Sequence, residues 1–517
     1  MEFYQIIGKE ISDGIISDRD SLQKRKLTLA RDLRLDHIPS DTEILRSGIV
    51  PAEKTRLLRI KPTRTISGVA VVAAMTSPES CPHGKCIYCP GGLDNNSPQA
   101  YTGHEPAALR GRNNNYDPYS IVFNRLKQLD TIGHDTSKVD LIIMGGTFTA
   151  RSKDYQESYI KGCFDAMNMH VSGNLEEAML ENETAARRCV GLTVETKPDW
   201  FFEKEIDDAL SYGTTKVELG VQLIDEKVLR INGRGHGIAE IVKSTRLSRD
   251  AGLKIVYHLM PGMYGSTFDD DLKSFDRMIS DPSFKPDMLK IYPTLVVKGT
   301  ALYRLWKQGK YLPMDTETAS ELIVNFMEKM PPWIRVQRMQ RDIPVEFIEA
   351  GVKRSDIHNI VDDKLRERGI KTMEIRTREV GKALSESGKM ELVRRDYAAA
   401  GGSEVFLSFE NDDHIFGFLR LRKPSDNAHR PEMKGSAIIR EIKVVGEVVP
   451  VGVHSNDQWQ HKGLGRSLMN SAESIVRDEW GLARILVISG VGVRDYFRKM
   501  GYSRVGPYMG KAIRGYS

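Results

Sequence analysis

Ser80-Cys81-Pro82-His83-Gly84-Lys85-Cys86-Ile87-Tyr88-Cys89-Pro90-Gly91-Gly92 is the stretch on which the reading of this chain turns. Three of the five cysteines fall within it, spaced Cys-x4-Cys-x2-Cys, with no fourth cysteine nearby. Thiolates are soft ligands that suit zinc, copper or iron–sulfur clusters. A structural zinc site needs four protein ligands. A [4Fe–4S] cube held by three cysteines leaves one iron open to a substrate. His83 lies outside the usual zinc-finger spacings, a disulfide would leave one thiol over, and simple buried thiols explain no spacing. The pattern therefore favours iron–sulfur ligation by Cys81, Cys86 and Cys89. Gly84, Gly91, Gly92 and the prolines let such a loop wrap a cluster closely. Tyr88, just before the last cysteine, is placed to pack against the adenine of a nucleoside ligand.

Outward from that loop, composition sets bounds. The chain has 517 residues, enough for two to four domains, with 40% apolar and 28% charged residues, as in globular proteins. No apolar run is long enough to span a bilayer and no charged-then-apolar leader opens the chain, so the expectation is a cytoplasmic protein without a membrane partner. Five cysteines do not make a disulfide framework. Cys163 and Cys189 read as core thiols. A net charge of +5 and a pI near 8.7 are compatible with a polyanionic partner.

Residues 1–64 read as a basic, mostly helical segment, with Asp20-Ser21 as the cap of a helix through Leu22, Leu27, Leu29 and Leu33. Lys54, Arg56, Arg59, Lys61 and Arg64 form a run without acids that suits phosphate contacts, or else a solvated face. From residue 67 the pattern alternates strand and helix. The apolar run 67–75 ends at the cysteine loop. Further strands are expected at 139–144, 190–196, 216–222, 253–260 and 288–292, with helices between them, such as 204–212 and 239–250. Such alternation implies a parallel β/α barrel or open sheet whose site lies at the strand C-terminal ends. Gly145-Gly146, Glu195, Thr196, Lys197, Glu218 and Gln222 stand at or near those ends. Residues 301–385 read as helical and charged, and the stretch 341–390 as a connector.

From Glu391 the pattern becomes hairpin-like, with strands at 405–409, 415–421 and 437–445. Gln460-His461-Lys462-Gly463-Leu464-Gly465 then leads into a helix through Leu468, Ala472 and Ile475, where backbone N–H groups make an anion site suited to a pyrophosphate. A strand at 485–488 and a helix carrying Tyr496-Phe497 follow.

The cysteine loop resembles that of the radical S-adenosylmethionine (SAM) enzymes, though its first gap is one residue longer than the common form. The resemblance implies a partial β/α barrel over 65–340, with Tyr88, Gly145, Gly146, Glu195 and Gln222 around SAM and the glycine pair on its methionyl amino group. Residues 391–517 resemble the GNAT acyl-CoA acyltransferases. There the likeness implies acetyl-CoA held by Glu441, Ile442, Lys443 and Val444 along the pantetheine arm, by Gln460, Gly463, Leu464 and Gly465 at the pyrophosphate, and by Tyr496 near the sulfur. The pair of domains, an α/β arrangement overall, resembles the Elongator catalytic-subunit family in its stand-alone, archaeal-type form. Tyr101-Thr-Gly-His-Glu-Pro106, Met144-Gly-Gly-Thr-Phe148, Glu195-Thr-Lys-Pro-Asp199 and Arg376-Thr-Arg-Glu-Val-Gly381 carry that likeness.

The family makes 5-carboxymethyluridine at the tRNA wobble position. By that likeness a 5′-deoxyadenosyl radical takes hydrogen from the methyl of acetyl-CoA, and the carbon radical adds to uracil carbon 5. An electron donor to the cluster is then needed, and other Elongator subunits are not. The same resemblance makes Lys138 a catalytic acetyl-CoA contact on the radical-domain side, alongside Tyr496. Two other readings are a protein lysine acetyltransferase with a structural cluster, for which Glu441 is a candidate base, and a non-catalytic tRNA-binding scaffold.

Overall fold

The computed structural model describes residues 2–60, 65, 68–379, 389–445 and 463–513. Lys61, Arg64 and Gln460 lie outside them. Three helices, α1 (Glu2–Ser12), α2 (Arg19–Asp32) and α3 (Asp41–Arg46), open the chain and close a small core of Phe3, Ile7, Ile11, Leu22, Leu29 and Ile44. The cap of α2 is Asp18, two residues before the expected Asp20, and its carboxylate accepts from the Ser21 N–H. Asp18 wins because its backbone is extended, so the carboxylate can fold back over the first turn.

Six of the expected strands appear as β1 (Ala70–Met75), β2 (Lys138–Met144), β3 (Arg188–Thr196), β4 (Lys216–Gln222), β5 (Lys254–Leu259) and β6 (Met288–Ile291). A short β7 (Val296–Val297) pairs with β9 (Ile348–Ala350), and β8 (Arg335–Arg338) adds a strand to the main sheet. That strand falls in the stretch expected to be helical, because Arg335-Val-Gln-Arg338 has one apolar residue and no readable alternation. The seven strands run β1-β2-β3-β4-β5-β6-β8, all parallel, and the end strands do not pair with each other. The result is a half-barrel with its carboxyl ends on one rim. The helix Ile357–Glu367 packs on Thr316–Glu328, with Lys364 paired to Glu317 and Glu321, so the stretch after β8 folds back onto this domain.

The C-terminal region is a second sheet of β10 (Glu391–Ala399), β11 (Gly402–Glu410), β12 (Ile415–Lys423), β13 (Ser436–Val444), β14 (Arg484–Val487), β15 (Ser503–Val505) and β16 (Tyr508–Ala512), ordered β10-β11-β12-β13-β14-β16-β15. Its β13–β14 pair is parallel and the others antiparallel. The helix Leu464–Ser474 covers one face through Leu468, Met469 and Ala472. The other face meets the half-barrel: Ile438, Leu486, Ile488 and Tyr508 belong to the same apolar core as its strands, and the Tyr508 hydroxyl donates to the Ala251 carbonyl at 3.0 Å. The contacts fall on the segments entering β5, β6 and β8, that is, on the amino ends of the strands.

Candidate active site

A cavity sits on the carboxyl rim of the half-barrel. Cys81, Cys86, Cys89, Tyr88, Gly146, Glu195, Gln222, Arg234, His258, Lys290 and Tyr292 line it. The three thiols thus line one cavity. The Ala100 N–H points at the Cys89 sulfur at 3.2 Å, and Arg234 Nη1 lies 3.5 Å from that of Cys86. Burial pushes the Cys89 thiol up to about 11 and raises Cys81 as well. Such thiols stay protonated at neutral pH unless a metal displaces the proton.

Among the described residues no three metal-binding side chains converge on one point. A [4Fe–4S] cube does not ask for that, since each thiolate binds a different iron. N–H donors and cations around the sulfurs fit a cluster carrying negative charge, and the three cysteines suit it.

Beside the cysteines is a cradle for a polar cofactor. Gly145 and Gly146 have φ of +141° and +90°. A Cβ on Gly145 would lie 1.9 Å from Thr76 Oγ1, and one on Gly146 3.0 Å from the Gln99 carbonyl, so only glycine leaves this wall open. Glu195 accepts from the Tyr101 hydroxyl at 2.7 Å and from the Gly145 N–H at 3.2 Å, tying β3 to that turn. Gln222 adopts φ +71°, the left-handed region, at the end of β4, and its buried Oε1 has no hydrogen-bond partner.

Arg234 was not expected from the sequence. It is 6% exposed, donates to the Gly220 carbonyl, and leaves Nε buried without a partner. An orphaned guanidinium atom beside an unpartnered amide and a glycine wall fits the carboxylate, amino and ribose groups of SAM. His236 is buried alongside, and burial, with Arg234 and Lys197, holds it neutral, far below the ordinary histidine range.

Deeper in the barrel, Glu218 is 1% exposed and bonds Lys290 Nζ at 2.5 Å and His258 Nε2 at 2.9 Å. Burial pushes its carboxyl up, but Lys290 and His258 outweigh that and hold it well below the usual range. Burial likewise opposes the Lys290 charge, while Glu218 raises its pKa. His258 and Lys290 face the cavity and were also not expected. Their signal was present: a lysine inside the apolar run Met288-Leu-Lys-Ile291 has to point somewhere polar.

In the C-terminal domain, Gly463 takes φ +74° at the start of the helix Leu464–Ser474, and among the described residues nothing lies within 4 Å of where its Cβ would be. A Cβ on Gly465 would lie 3.1 Å from the Tyr496 hydroxyl and 3.7 Å from Val444 Cγ2. Thus Gly463, Gly465, Val444 and Tyr496 come together around one helix N-terminus. Leu464 belongs to the core instead, packed with Phe416. Ile442 packs on the domain's own core. Lys443 pairs at 2.6 Å with Glu379, itself bound to Arg335 of β8, so the end of β13 is anchored beside the last strand of the half-barrel.

Three expectations fall on residues that the structure engages elsewhere. Lys138 opens β2, at the amino rim, roughly 20 Å of extended strand from Gly145. It does not line the cysteine cavity. Glu441 is bound to Arg420 at 2.8 Å, and Arg420 and Lys254 hold its carboxyl below the usual range despite burial, which suits a structural ion pair and not a base. In the basic run, Lys54 donates to the Ile11 and Ser12 carbonyls at the end of α1, and Arg59 Nε donates to the Gly133 carbonyl. Both therefore hold the N-terminal helices in place, and Arg56 too has a partner.

The domains meet in a buried ionic seam. Arg249, Arg420, Arg422 and Arg440 are fully buried. Arg440 grips Asp287 with two bonds of 2.6 and 2.7 Å and Glu404 with two of 2.9 and 3.2 Å. Arg422 spans Asp250 and Glu404, and Arg249 reaches Glu404.

The chain is thus a radical SAM half-barrel fused to a GNAT acyltransferase domain. Its sequence matches the Radical SAM superfamily over residues 75–278, the Radical SAM C-terminal domain over 286–367 and the Acetyltransferase (GNAT) family over 368–502. It is 47% identical over 98% of its length to a tRNA uridine(34) acetyltransferase of Methanocaldococcus infernus, covering 97% of that protein. It is 41% identical to human Elongator complex protein 3, over 95% of this chain and 93% of that one. The solved structure of M. infernus Elp3 lacking residues 1–46 superimposes with a TM-score of 0.76 at 44% identity, covering 87% of this chain and all of that one. The chain belongs to the tRNA uridine(34) acetyltransferase and Elongator protein 3 family.

Proposed function

We propose that the protein modifies the wobble uridine of tRNA, using SAM-derived radical chemistry and acetyl-CoA to form 5-carboxymethyluridine. The observation that carries this reading is one cavity where three cysteines, a glycine wall and orphaned polar atoms meet, on a chain that also carries a GNAT domain. Cys81, Cys86 and Cys89 would hold the cluster. Gly145, Gly146, Glu195, Gln222, Tyr88 and Arg234 would hold SAM. When bound, the pair supplies a carbon-centred radical able to take hydrogen from an unactivated methyl.

Such chemistry suits carbon 5 of uracil, which is too weak a nucleophile for ordinary acyl transfer. The residues of the chain position and shield. Arg234 and the glycine wall orient the cofactor, and the walls of the half-barrel keep water from the reacting atoms. Gly463 and Gly465 would present backbone N–H groups to the CoA pyrophosphate, with Tyr496 beside the pantetheine end. Because the end of β13 is tied to β8, the acyl arm would approach through the open edge of the half-barrel. Glu441 is occupied by Arg420, which weakens the reading as a lysine acetyltransferase.

The test is anaerobic incubation with reductant, SAM, unmodified tRNA and acetyl-CoA deuterated on its methyl, followed by nucleoside mass spectrometry. Deuterium is expected in 5′-deoxyadenosine, together with carboxymethylated uridine. Carboxymethyluridine formed beside unlabelled deoxyadenosine would rule out the coupled mechanism.

A further inference from the structure

Four cationic side chains line the cavity rim and floor besides the cysteine-side Lys197: Arg234, Arg338, Arg341 and Lys290. Three of them bond groups that themselves line the cavity. Arg234 serves the Gly220 carbonyl and the Cys86 sulfur, Arg338 is paired with Asp342, and Arg341 donates to the Ala100 carbonyl. Lys290 differs. Its partner is Glu218, which lies beneath it and does not line the cavity. An ammonium has three donors and no acceptor, so donors remain on the cavity side. His258 shares Glu218 and stands beside Lys290, and the Tyr292 ring meets the His258 ring edge-on at 5.6 Å. This corner therefore stands above a buried carboxylate and borders the cofactor cradle, with His258 Nδ1 4.0 Å from Glu195 Oε1.

Resting on the uridine reading above, we propose that Lys290 is the residue that reads the 4-oxo group of the target base. Uracil offers an acceptor oxygen at carbon 4, where cytosine offers an amino donor. A buried ammonium can donate to the first and cannot accept from the second. A cytosine there leaves its amino group and the remaining Lys290 donors unpaired, which is the arrangement that gives strong discrimination. Glu218 is then a positioning residue that keeps Lys290 charged and immobile. The carbonyl of an acyl donor is the other oxygen an ammonium suits, so the test uses RNA without acetyl-CoA.

Cluster-reconstituted full-length protein with SAM is titrated with anticodon stem-loops that differ only in the wobble base: uracil, cytosine, or 2-pyrimidinone, which lacks the 4-oxo group. The wild type should bind the uracil loop about tenfold or more tighter than either of the others. Lys290→Met should bring the three within about threefold of one another, and Lys290→Arg should keep the uracil preference. Equal wild-type affinity for all three loops overturns the proposal, and this arm needs no variant to fold. So does an unchanged uracil preference in Lys290→Met protein with intact cluster absorbance. If the wild type makes no modified uridine at all, the functional reading fails and takes this inference with it. Modified uridine together with base-indifferent binding removes Lys290 alone.

Discussion

Two sets of buried charge lie at opposite rims of the same half-barrel. On the amino rim, Arg249, Arg420, Arg422 and Arg440 face Asp250, Asp287, Glu404 and Glu441. Cations and carboxylates match in number, and among the polar atoms of these eight residues Arg249 Nε is the buried one without a hydrogen bond. On the carboxyl rim the inventory is similar in kind, with Arg234, Lys290, Glu218 and Glu195, but buried atoms are left over: Arg234 Nε, Gln222 Oε1, Glu218 Oε1 and both nitrogens of His236. A buried polar atom without a partner costs about 1–3 kcal/mol. A rim that keeps several of them is shaped for ligands to complete. The amino rim, whose carboxylates are all paired with arginines, is shaped to join two domains. Burial and charge alone do not separate a site from a seam, whereas unpaired atoms around a cavity do.

The sharpest way to break this comparison is at the cysteines. Cys86→Ala removes a cluster ligand and should abolish cluster absorbance and reductive SAM cleavage altogether. It should leave the urea-derived stability of the apo protein within about 1 kcal/mol, because no ion pair depends on it. A large loss of apo stability would place the cysteine loop among the structural elements.

Asp287→Ala attacks the other rim. It strands Arg440, and with it Arg249 and Arg420, in a dry interface, which should cost about 3–5 kcal/mol. Because Ile438, Leu486 and Tyr508 share the core of the half-barrel, both domains should lose stability together. Calorimetry that shows only the C-terminal domain melting early would mean that the seam does not couple them.

The edge of the seam gives a pH signature. Burial raises the Glu379 carboxyl, but Lys443 and Arg335 outweigh it and bring it to about 2, from an ordinary 4.5. A depressed carboxyl stabilises the fold above its unfolded value and loses that contribution as pH falls. The window is therefore pH 4.5 down to 2, and the contribution is at most about 3 kcal/mol. Glu379→Gln should flatten urea-derived stability across that window. A pH dependence identical to the wild type would show that the Lys443–Glu379–Arg335 chain contributes nothing.

The two rims were not equally legible. The cysteines and Gly145-Gly146 stand out because their spacing and residue type are local signals. Arg234, His258 and Lys290 come from three separate segments and meet only when the strands are side by side. Leu419-Arg-Leu-Arg422 alternates as a strand should, and the half-barrel strands were readable from apolar runs in the same way. Alternation tells which residues share a face, but not that the polar face lies against another domain instead of water. The same gap explains the basic run, where charge was visible and its intramolecular partners were not.

That run poses the comparison in its mildest form: whether a cation is used by its own chain or left for a partner. Lys54 Nζ lies 2.6 Å from the Ser12 carbonyl and 3.2 Å from that of Ile11, at the end of α1, where a helix concentrates negative partial charge. Lys54→Met should therefore loosen the packing of α1 by about 1 kcal/mol, read as faster amide exchange over residues 2–12. It should leave the dependence of tRNA affinity on salt unchanged. A free phosphate contact behaves in the opposite way, since its loss lowers the slope of log affinity against log salt by about one and leaves α1 as it was. If the slope falls and exchange stays slow, Lys54 leaves its helix to meet RNA, and the basic run belongs with the incomplete rim after all.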